Sequence, residues 1–368
     1  MSVVVIGAGQ AGCQAAVSLR EQGYRGPVTI VGDENVPPYQ RPPLTKAYLA
    51  GDVDLDGVLV RPESFYAAHG IDLVLGDPAA AIAREDREVV LRSGLALRYS
   101  HLVLATGARP RTLPGALTLR TVADAEVLRE RLHRPARALV IGAGFVGLEF
   151  AAVARTKGHE VTVVEALPRA LARSVSPIVA DHVVARHQER GVRVLLGAEL
   201  SAPERGNADL VVAGIGVVPN VALAEDAGLT VDDGVVVDAH LRTDDPFIYA
   251  IGDCASFSSA FAGARIRLES VQNAMDQAAC VAAGIMGSAE PYTAVPWFWS
   301  DQYDMKLQIA GITRGHDRTE VDGDPSSGRF AVYCYRGDRL LGVECVNKPA
   351  AFVQTRRRLA ERQEFSVA

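Results

Sequence analysis

Apolar residues in this chain fall in short unbroken runs, each followed by a glycine turn and then a stretch with helical periodicity. Val3-Val-Val-Ile6 leads into Gly7-Ala-Gly-Gln-Ala-Gly12, an amphipathic stretch to about Gln22, and a second run at Val28-Thr-Ile-Val31. The same order returns 135 residues on, measured from Gly7 to Gly142. There Ala138-Leu-Val-Ile141 is followed by Gly142-Ala-Gly-Phe-Val-Gly147, a helix to about Lys157, and Glu160-Val-Thr-Val-Val164. Strands that are apolar on both faces, with helices between them, belong to parallel sheets covered on both sides. The repeat predicts two Rossmann-like dinucleotide-binding domains.

Further buried strands are expected at His101-Leu-Val-Leu104, Ala208 to Gly216 and Phe247 to Asp253. The last of these comes after the second unit is complete, so it needs a place in the first, and the second domain reads as an insertion. From about Pro291 the pattern becomes antiparallel in character, with strands at Lys306 to Ile312, Arg329 to Tyr335 and Arg339 to Val346 and turn glycines at Gly337 and Gly342. The expected fold class is α/β, with two dinucleotide-binding domains and a small α+β C-terminal domain. The boundaries read as 1–110 with 230–290, 111–229, and 291–368.

Composition narrows the function classes. An apolar content of 48% and a charged content of 22% describe an ordinary globular protein. The first apolar run is too short for a signal or membrane segment, so a cytoplasmic protein with no membrane association is expected. Cys13, Cys254, Cys280, Cys334 and Cys345 form no Cys-x-x-Cys pair, which argues against a bound metal or cluster and for packing roles at Cys13 and Cys254. A net charge of -6 argues against nucleic acid as a partner, with Arg356, Arg357 and Arg358 a local basic run.

The spacing Gly7, Gly9, Gly12 permits a tight turn, close approach of a pyrophosphate and close packing of helix on strand. Asp33 and Glu34 follow the second strand, where a ribose hydroxyl needs an acceptor. Gly142, Gly144 and Gly147 repeat this logic, and Glu165 lies 21 residues after Gly144. A carboxylate there accepts from a free 2'-hydroxyl and repels a 2'-phosphate, which favours NADH, although Arg169 and Arg173 lie close by. Two dinucleotide sites in one chain suit a flavin beside a nicotinamide, since hydride transfer between them is the cofactors' own chemistry.

Several longer motifs carry a resemblance. Pro38-Tyr-Gln-Arg-Pro-Pro-Leu-Thr-Lys-Ala-Tyr-Leu49, Ala105-Thr-Gly-Ala-Arg109, Gly142 to Glu149, Ile251-Gly-Asp253, Glu269-Ser-Val-Gln-Asn273 and Pro296-Trp-Phe-Trp-Ser-Asp-Gln302 resemble the FAD-dependent ferredoxin reductases of bacterial cytochrome P450 and aromatic-ring dioxygenase systems, including the putidaredoxin and rubredoxin reductases. The resemblance implies a glutathione-reductase-like fold with FAD in the N-terminal domain and NADH in the inserted one. It implies that Gly7, Gly9, Gly12, Asp33, Glu34, Arg41, Lys46, Ala80, Thr106, Gly107, Arg109, Arg120, Gly252, Asp253, Val271 and Trp299 hold FAD. By the same resemblance Gly142, Gly144, Val146, Gly147, Glu149, Glu165 and Gly216 hold NAD. The stretch Gly191 to Ala208 is short for such a domain.

Lys46, Glu149 and Trp299 are the expected catalytic residues. Reduction at flavin N5 places negative charge on the ring, and an ammonium at Lys46 stabilises it. A sheltered ammonium needs a carboxylate partner, and Glu149 is the candidate. Disulfide reductases and peroxidases of this fold carry cysteines beside the flavin, whereas Thr45 and Lys46 stand at that position here. The expected acceptor is therefore external, and the resemblance implies a [2Fe-2S] ferredoxin in a transient complex; this chain is expected to be a monomer or weak homodimer. Arg265, Arg267 and Arg356 to Arg358 are candidates to steer it. Rubredoxin reduction, an NADH oxidase or diaphorase activity, and a redox-sensing role like that of apoptosis-inducing factor remain open alternatives.

Overall fold

A computed structural model describes residues 1–199, 205–288 and 290–364. It divides into two compact units. The first comprises residues 1–40, 56–109 and 218–294, and the second residues 41–55, 110–217 and 295–368.

The first unit is built on a parallel sheet in the order Ile248–Ala250, His101–Leu104, Val3–Ile6, Val28–Val31, Ile71–Val74. Val3 to Ile6 are all buried, as a central strand between two covering layers requires. Helix Gln10–Glu21 follows the first strand and packs on helix Val271–Ile285, with Leu19, Val281 and Ala282 inaccessible. Ile248–Ala250 pairs with His101–Leu104, so a strand far along the chain completes the sheet begun at Val3. Two small three-stranded sheets complete this unit, one from Ala79–Ala83, Glu88–Leu91 and Ala96–Arg98 and one from Val235–Val237, Ala255–Ser259 and Ala264–Ile266.

The second unit holds a parallel sheet in the order Arg193–Leu196, Glu160–Glu165, Arg137–Ile141, Leu210–Ala213. Helix Phe145–Thr156 follows its first strand, and helix Pro177–Glu189 starts at a Ser176 cap with proline in its first turn. Helix Val122–Arg131 opens on a capping box between Thr121 and Asp124. The 3-10 turn Pro42–Thr45 and helix Ala47–Ala50 pack against it, with Arg129 over the Tyr48 ring and the Tyr48 hydroxyl on Glu126. An antiparallel sheet in the order Trp297–Gln302, Met305–Gly311, Arg339–Val346, Arg329–Arg336, Arg318–Asp324 carries helix Pro349–Glu364 on one face.

Gly342 is not the turn residue its type suggests. It lies inside strand Arg339–Val346, paired with Gly311, and a Cβ there would overlap the Ala310 carbonyl. Its glycine is needed for close strand approach, while Gly337 does sit in the turn, at φ 55°. Part of the short stretch Gly191 to Ala208 lies outside the described residues, as do the last four residues of the C-terminal region.

Candidate dinucleotide sites and a charged cluster

The first glycine loop is shaped for a bound group. Gly7 has φ 118°, and a Cβ on it or on Gly12 would overlap the backbone of Ala105 or of Gly7. Gly9 has nothing within 4 Å in the corresponding direction, so open space faces the loop where a pyrophosphate needs to approach. Helix Gln10–Glu21 starts at Gly9 with no side-chain cap and no acidic residue in its first turn. Its leading N–H groups and positive dipole end are thus left for an anion. Helix Phe145–Thr156 starts the same way at Gly144, whereas helices Val122–Arg131, Pro177–Glu189 and Val271–Ile285 are capped by Thr121, Ser176 and Ser270. Both glycine loops therefore fit a dinucleotide phosphate.

Around the first loop, Asp33 is exposed and Glu34 half-buried, the latter accepting from Tyr39 Oη at 2.7 Å. Ala80 is exposed on its strand. Thr106 Oγ1 donates to the Asn220 carbonyl at 2.7 Å, and Asn220 Nδ2 donates back to the Thr106 carbonyl at 2.9 Å. Arg109 reaches Asn220 Oδ1 at 3.2 Å. Asn220 thus clasps the Thr106–Gly107–Arg109 turn, in which Gly107 has φ 66°. The sequence reading did not find Asn220, because its role is visible only once a distant segment returns. Gly252, at φ 73°, donates its N–H to buried Gln277 at 2.7 Å. Asp253 beside it is half-buried, with its carbonyl held by Arg267 at 3.1 Å. Val271 is the first residue of the Ser270-capped helix.

Arg265 is exposed and Arg267 is half-buried, and both guanidinium groups are held by nearby acceptors. The Arg265 guanidinium donates to the carbonyls of Val237 and Ser256, and Arg267, only 10% exposed, bonds Glu269 and the Asp253 carbonyl. Both brace loops. Arg356, Arg357 and Arg358 are exposed, with Arg356 lying 5.7 Å over the Trp297 ring. Burial pushes the Cys13 and Cys254 thiols up, and both are fully inaccessible, in line with packing roles.

In the second unit, Gly142 has φ 100° and packs on Gly214, whose own Cβ would meet Gly147 at 3.0 Å. Gly214 is a close-packing glycine that the spacing alone does not reveal. Val146 is exposed on the helix, and Gly216, at φ 97°, is exposed in the loop beyond strand Leu210–Ala213. Glu165 Oε2 accepts from Ala143 N and Oε1 from Leu167 N, each at 2.8 Å. Those bonds fix the carboxylate at the edge of the glycine loop while leaving lone pairs on both oxygens. Arg169 is committed elsewhere, to the carbonyls of Val175 and Ala172, and Arg173 is exposed.

Lys46 and Glu149 meet in this unit. Lys46 Nζ lies 2.6 Å from Glu149 Oε2, with side-chain exposures of 21% and 6%. The same Oε2 accepts from Thr45 Oγ1 at 2.5 Å, and Oε1 accepts from Ser300 Oγ at 2.6 Å. Thr45 and Ser300 were not among the expected site residues, although both stand beside one that was. Arg41 lies on the same turn and donates to the Arg120 carbonyl at 2.6 Å, while Arg120 N bonds the Asp124 cap at 2.9 Å. Trp299 is half-buried, between Phe298 and Ser300 on the strand and 5.5 Å from the Trp297 ring. The Phe298 ring lies 4.6 Å from that of Phe145, tilted by 41°, and Phe145 opens the glycine-loop helix. A carboxylate fixed by two hydroxyl donors beside an ammonium holds positive charge at a defined point, which suits a reaction that builds negative charge there.

Residues 1–278 match the model of the pyridine nucleotide-disulphide oxidoreductases, and residues 297–368 match the reductase C-terminal model. Rhodocoxin reductase of Rhodococcus erythropolis is 47% identical, over 98% of this chain and 90% of that protein. Rubredoxin-NAD(+) reductase of Pseudomonas putida is 39% identical, over 95% and 96%. The crystal structure of the covalent putidaredoxin reductase–putidaredoxin complex matches with a TM-score of 0.93 at 40% identity, covering 98% of this chain and 93% of that one. This chain belongs to the pyridine nucleotide-disulphide oxidoreductase family. It is an oxidoreductase of the ferredoxin-reductase kind, using FAD and NAD(H), with a ferredoxin-type protein as its partner.

Proposed function

We propose that this chain oxidises NADH through FAD and delivers electrons singly to a [2Fe-2S] ferredoxin that feeds a cytochrome P450 or an aromatic-ring dioxygenase. The Lys46–Glu149 pair carries this reading, because it offers a fixed ammonium and hydroxyls where thiol-dependent relatives need a cysteine. FAD, when bound, accepts a hydride from the nicotinamide and can release its electrons one at a time. Lys46 supplies positive charge to the ring position that gains negative charge. Glu149 keeps that ammonium in place and offsets the cost of sheltering it.

Glu165 receives the NADH ribose and disfavours a 2'-phosphate. The commitment of Arg169 to backbone carbonyls supports that preference, since it removes one cation from competition. No cysteine lies between Pro42 and Ala50, so electrons have no thiol to rest on and must leave the chain. The exposed Arg356–Arg358 run beside Trp297 supports attraction of an acidic carrier. The protein works as a monomer or weak homodimer in the cytoplasm, a setting its five unpaired cysteines favour. Among the described residues no helix is long and apolar enough to cross a membrane.

The test is stoichiometry under anaerobic conditions with a [2Fe-2S] ferredoxin in excess. One NADH should yield two reduced ferredoxins. NADH oxidation that leaves the ferredoxin oxidised overturns the proposal.

A further inference from the structure

Glu149 stands at the end of a buried chain of hydrogen bonds that has no counterpart in the reading of the site so far. Ser300, completely inaccessible, donates to Glu149 Oε1 at 2.6 Å. Gln302, 1% exposed and two residues along the same strand, donates from Nε2 to Ser300 Oγ at 3.1 Å. Its Oε1 lies 2.8 Å from Nε2 of His187, also inaccessible, on helix Pro177–Glu189. Tyr303 Oη reaches His187 Nδ1 at 3.5 Å, and the guanidinium of Arg190 lies over the Tyr303 ring beside a small cavity of about 300 Å³.

The chemistry of these groups fixes the direction of every bond. An amide oxygen only accepts, so His187 Nε2 must carry a hydrogen. Burial holds His187 below its ordinary pKa, so near neutral pH its other nitrogen, Nδ1, is an acceptor for Tyr303. The amide nitrogen of Gln302 only donates, which leaves the Ser300 hydroxyl one role, donation to the carboxylate. All donors therefore point one way, from helix Pro177–Glu189 through the strand to Glu149. Reversing any link would leave two donors or two acceptors facing each other in the interior, which is costly.

We propose that Ser300, set by Gln302 and His187, is a positioning residue that fixes the Glu149 carboxylate and thereby keeps the Lys46 ammonium in place. This rests on the reading of Lys46 and Glu149 given above. The charged and titratable groups facing Glu149 are Lys46 from the Pro42–Lys46 turn and, through Gln302, His187 from its helix. Asp301 lies between Ser300 and Gln302 on the strand, where alternation turns it to the other face. Without the Ser300 donor the carboxylate keeps only Thr45 and Lys46, both on Oε2, and Oε1 is left without a partner.

The experiment is 13C NMR of the Glu149 carboxyl in the flavin-loaded protein, with Glu149→Gln identifying the signal. Ser300→Ala should move that resonance at fixed pH and slow NADH-driven bleaching of the flavin about tenfold. Ser300→Thr, which keeps the hydroxyl, should restore the wild-type resonance and rate. Gln302→Leu should move both in the same direction as Ser300→Ala, and it decides the matter if Ser300→Ala does not fold. A resonance and rate unchanged in these variants overturn the proposal. The rate in Lys46→Met tests the role of the pair separately, so that reading and this one can fail independently.

Discussion

Lys46 and Glu149 lie 103 positions apart in sequence and 2.6 Å apart in space. The pair is sheltered but not sealed, because Lys46 keeps 21% of its side-chain surface. A partly exposed lysine side chain can still approach a reacting ring. Lys46→Met should therefore slow NADH-driven bleaching of the flavin by tenfold or more in stopped-flow measurements, about 1.4 kcal/mol per factor of ten. Glu149→Gln should slow it as well, with the larger part of the effect in the rate rather than in NADH affinity. An unchanged bleaching rate in Lys46→Met would remove the role assigned to the pair.

Glu165 joins cofactor choice to the shape of its loop, since its two oxygens already hold Ala143 N and Leu167 N. Glu165→Gln keeps one acceptor oxygen and loses the charge. The ratio of kcat/KM for NADH over NADPH should fall, mainly through a higher KM for NADH. A ratio equal to that of the wild type would mean that another residue sets the preference.

The glycines of the first loop separate folding from flavin binding. Gly9→Ala meets no neighbouring atom within 4 Å, so the fold should survive with nearly unchanged thermal stability while the purified protein retains less FAD. Gly12→Ala meets the Gly7 carbonyl and should lower both stability and flavin content. Absorbance of the bound flavin together with a melting curve distinguishes the two. Full flavin retention in Gly9→Ala would count against a pyrophosphate at this loop.

Glu344 is a fully buried carboxylate that takes the Ser176 N–H on both oxygens and the Ser176 hydroxyl at 2.6 Å. It ties the antiparallel sheet to the start of helix Pro177–Glu189. Removing it leaves a buried amide and hydroxyl without an acceptor, so Glu344→Ala should cost about 2–4 kcal/mol in unfolding free energy. Denaturant melts read this directly, and a loss below about 0.5 kcal/mol would contradict it.

Stability should also depend on pH with a definite sign. Burial lowers the pKa of His101, His159, His182 and His187 in the folded state. Below about 6.5 the unfolded chain therefore binds more protons than the native one. Stability is then fully present above that value and falls as pH drops through and below it. Melting temperatures measured from pH 8 to 5.5 should decline over the acid part of the range, and His187→Gln should flatten part of that decline. A level profile would contradict the lowering of these histidine pKa values by folding.

What the sequence disclosed follows the range of the interactions involved. The two glycine loops and their strands are local patterns of a few residues, and strands such as Val3–Ile6 and Arg339–Val346 stand where the apolar runs place them. Lys46 and Glu149 could be paired in advance because a sheltered ammonium requires a carboxylate and the resemblance supplied one. Thr45, Ser300 and Asn220 were not legible, since hydroxyls and amides are common and only tertiary proximity gives them a partner. Gly342 misled for a related reason: a glycine between two strand-like runs reads as a turn, yet here it serves close approach to Gly311. The bracing role of Arg265 and Arg267 was hidden in the same way, because backbone carbonyls leave no mark in the sequence.

The most direct test of the account is NADH-driven reduction of cytochrome c by the flavin-loaded protein, measured alone, with a [2Fe-2S] ferredoxin and with a rubredoxin. The expected result is a low rate alone and strong stimulation by the ferredoxin, exceeding that by the rubredoxin. Rapid NADH consumption in air with no carrier present, unaffected by added ferredoxin, would contradict it and assign the electrons to oxygen or a small acceptor.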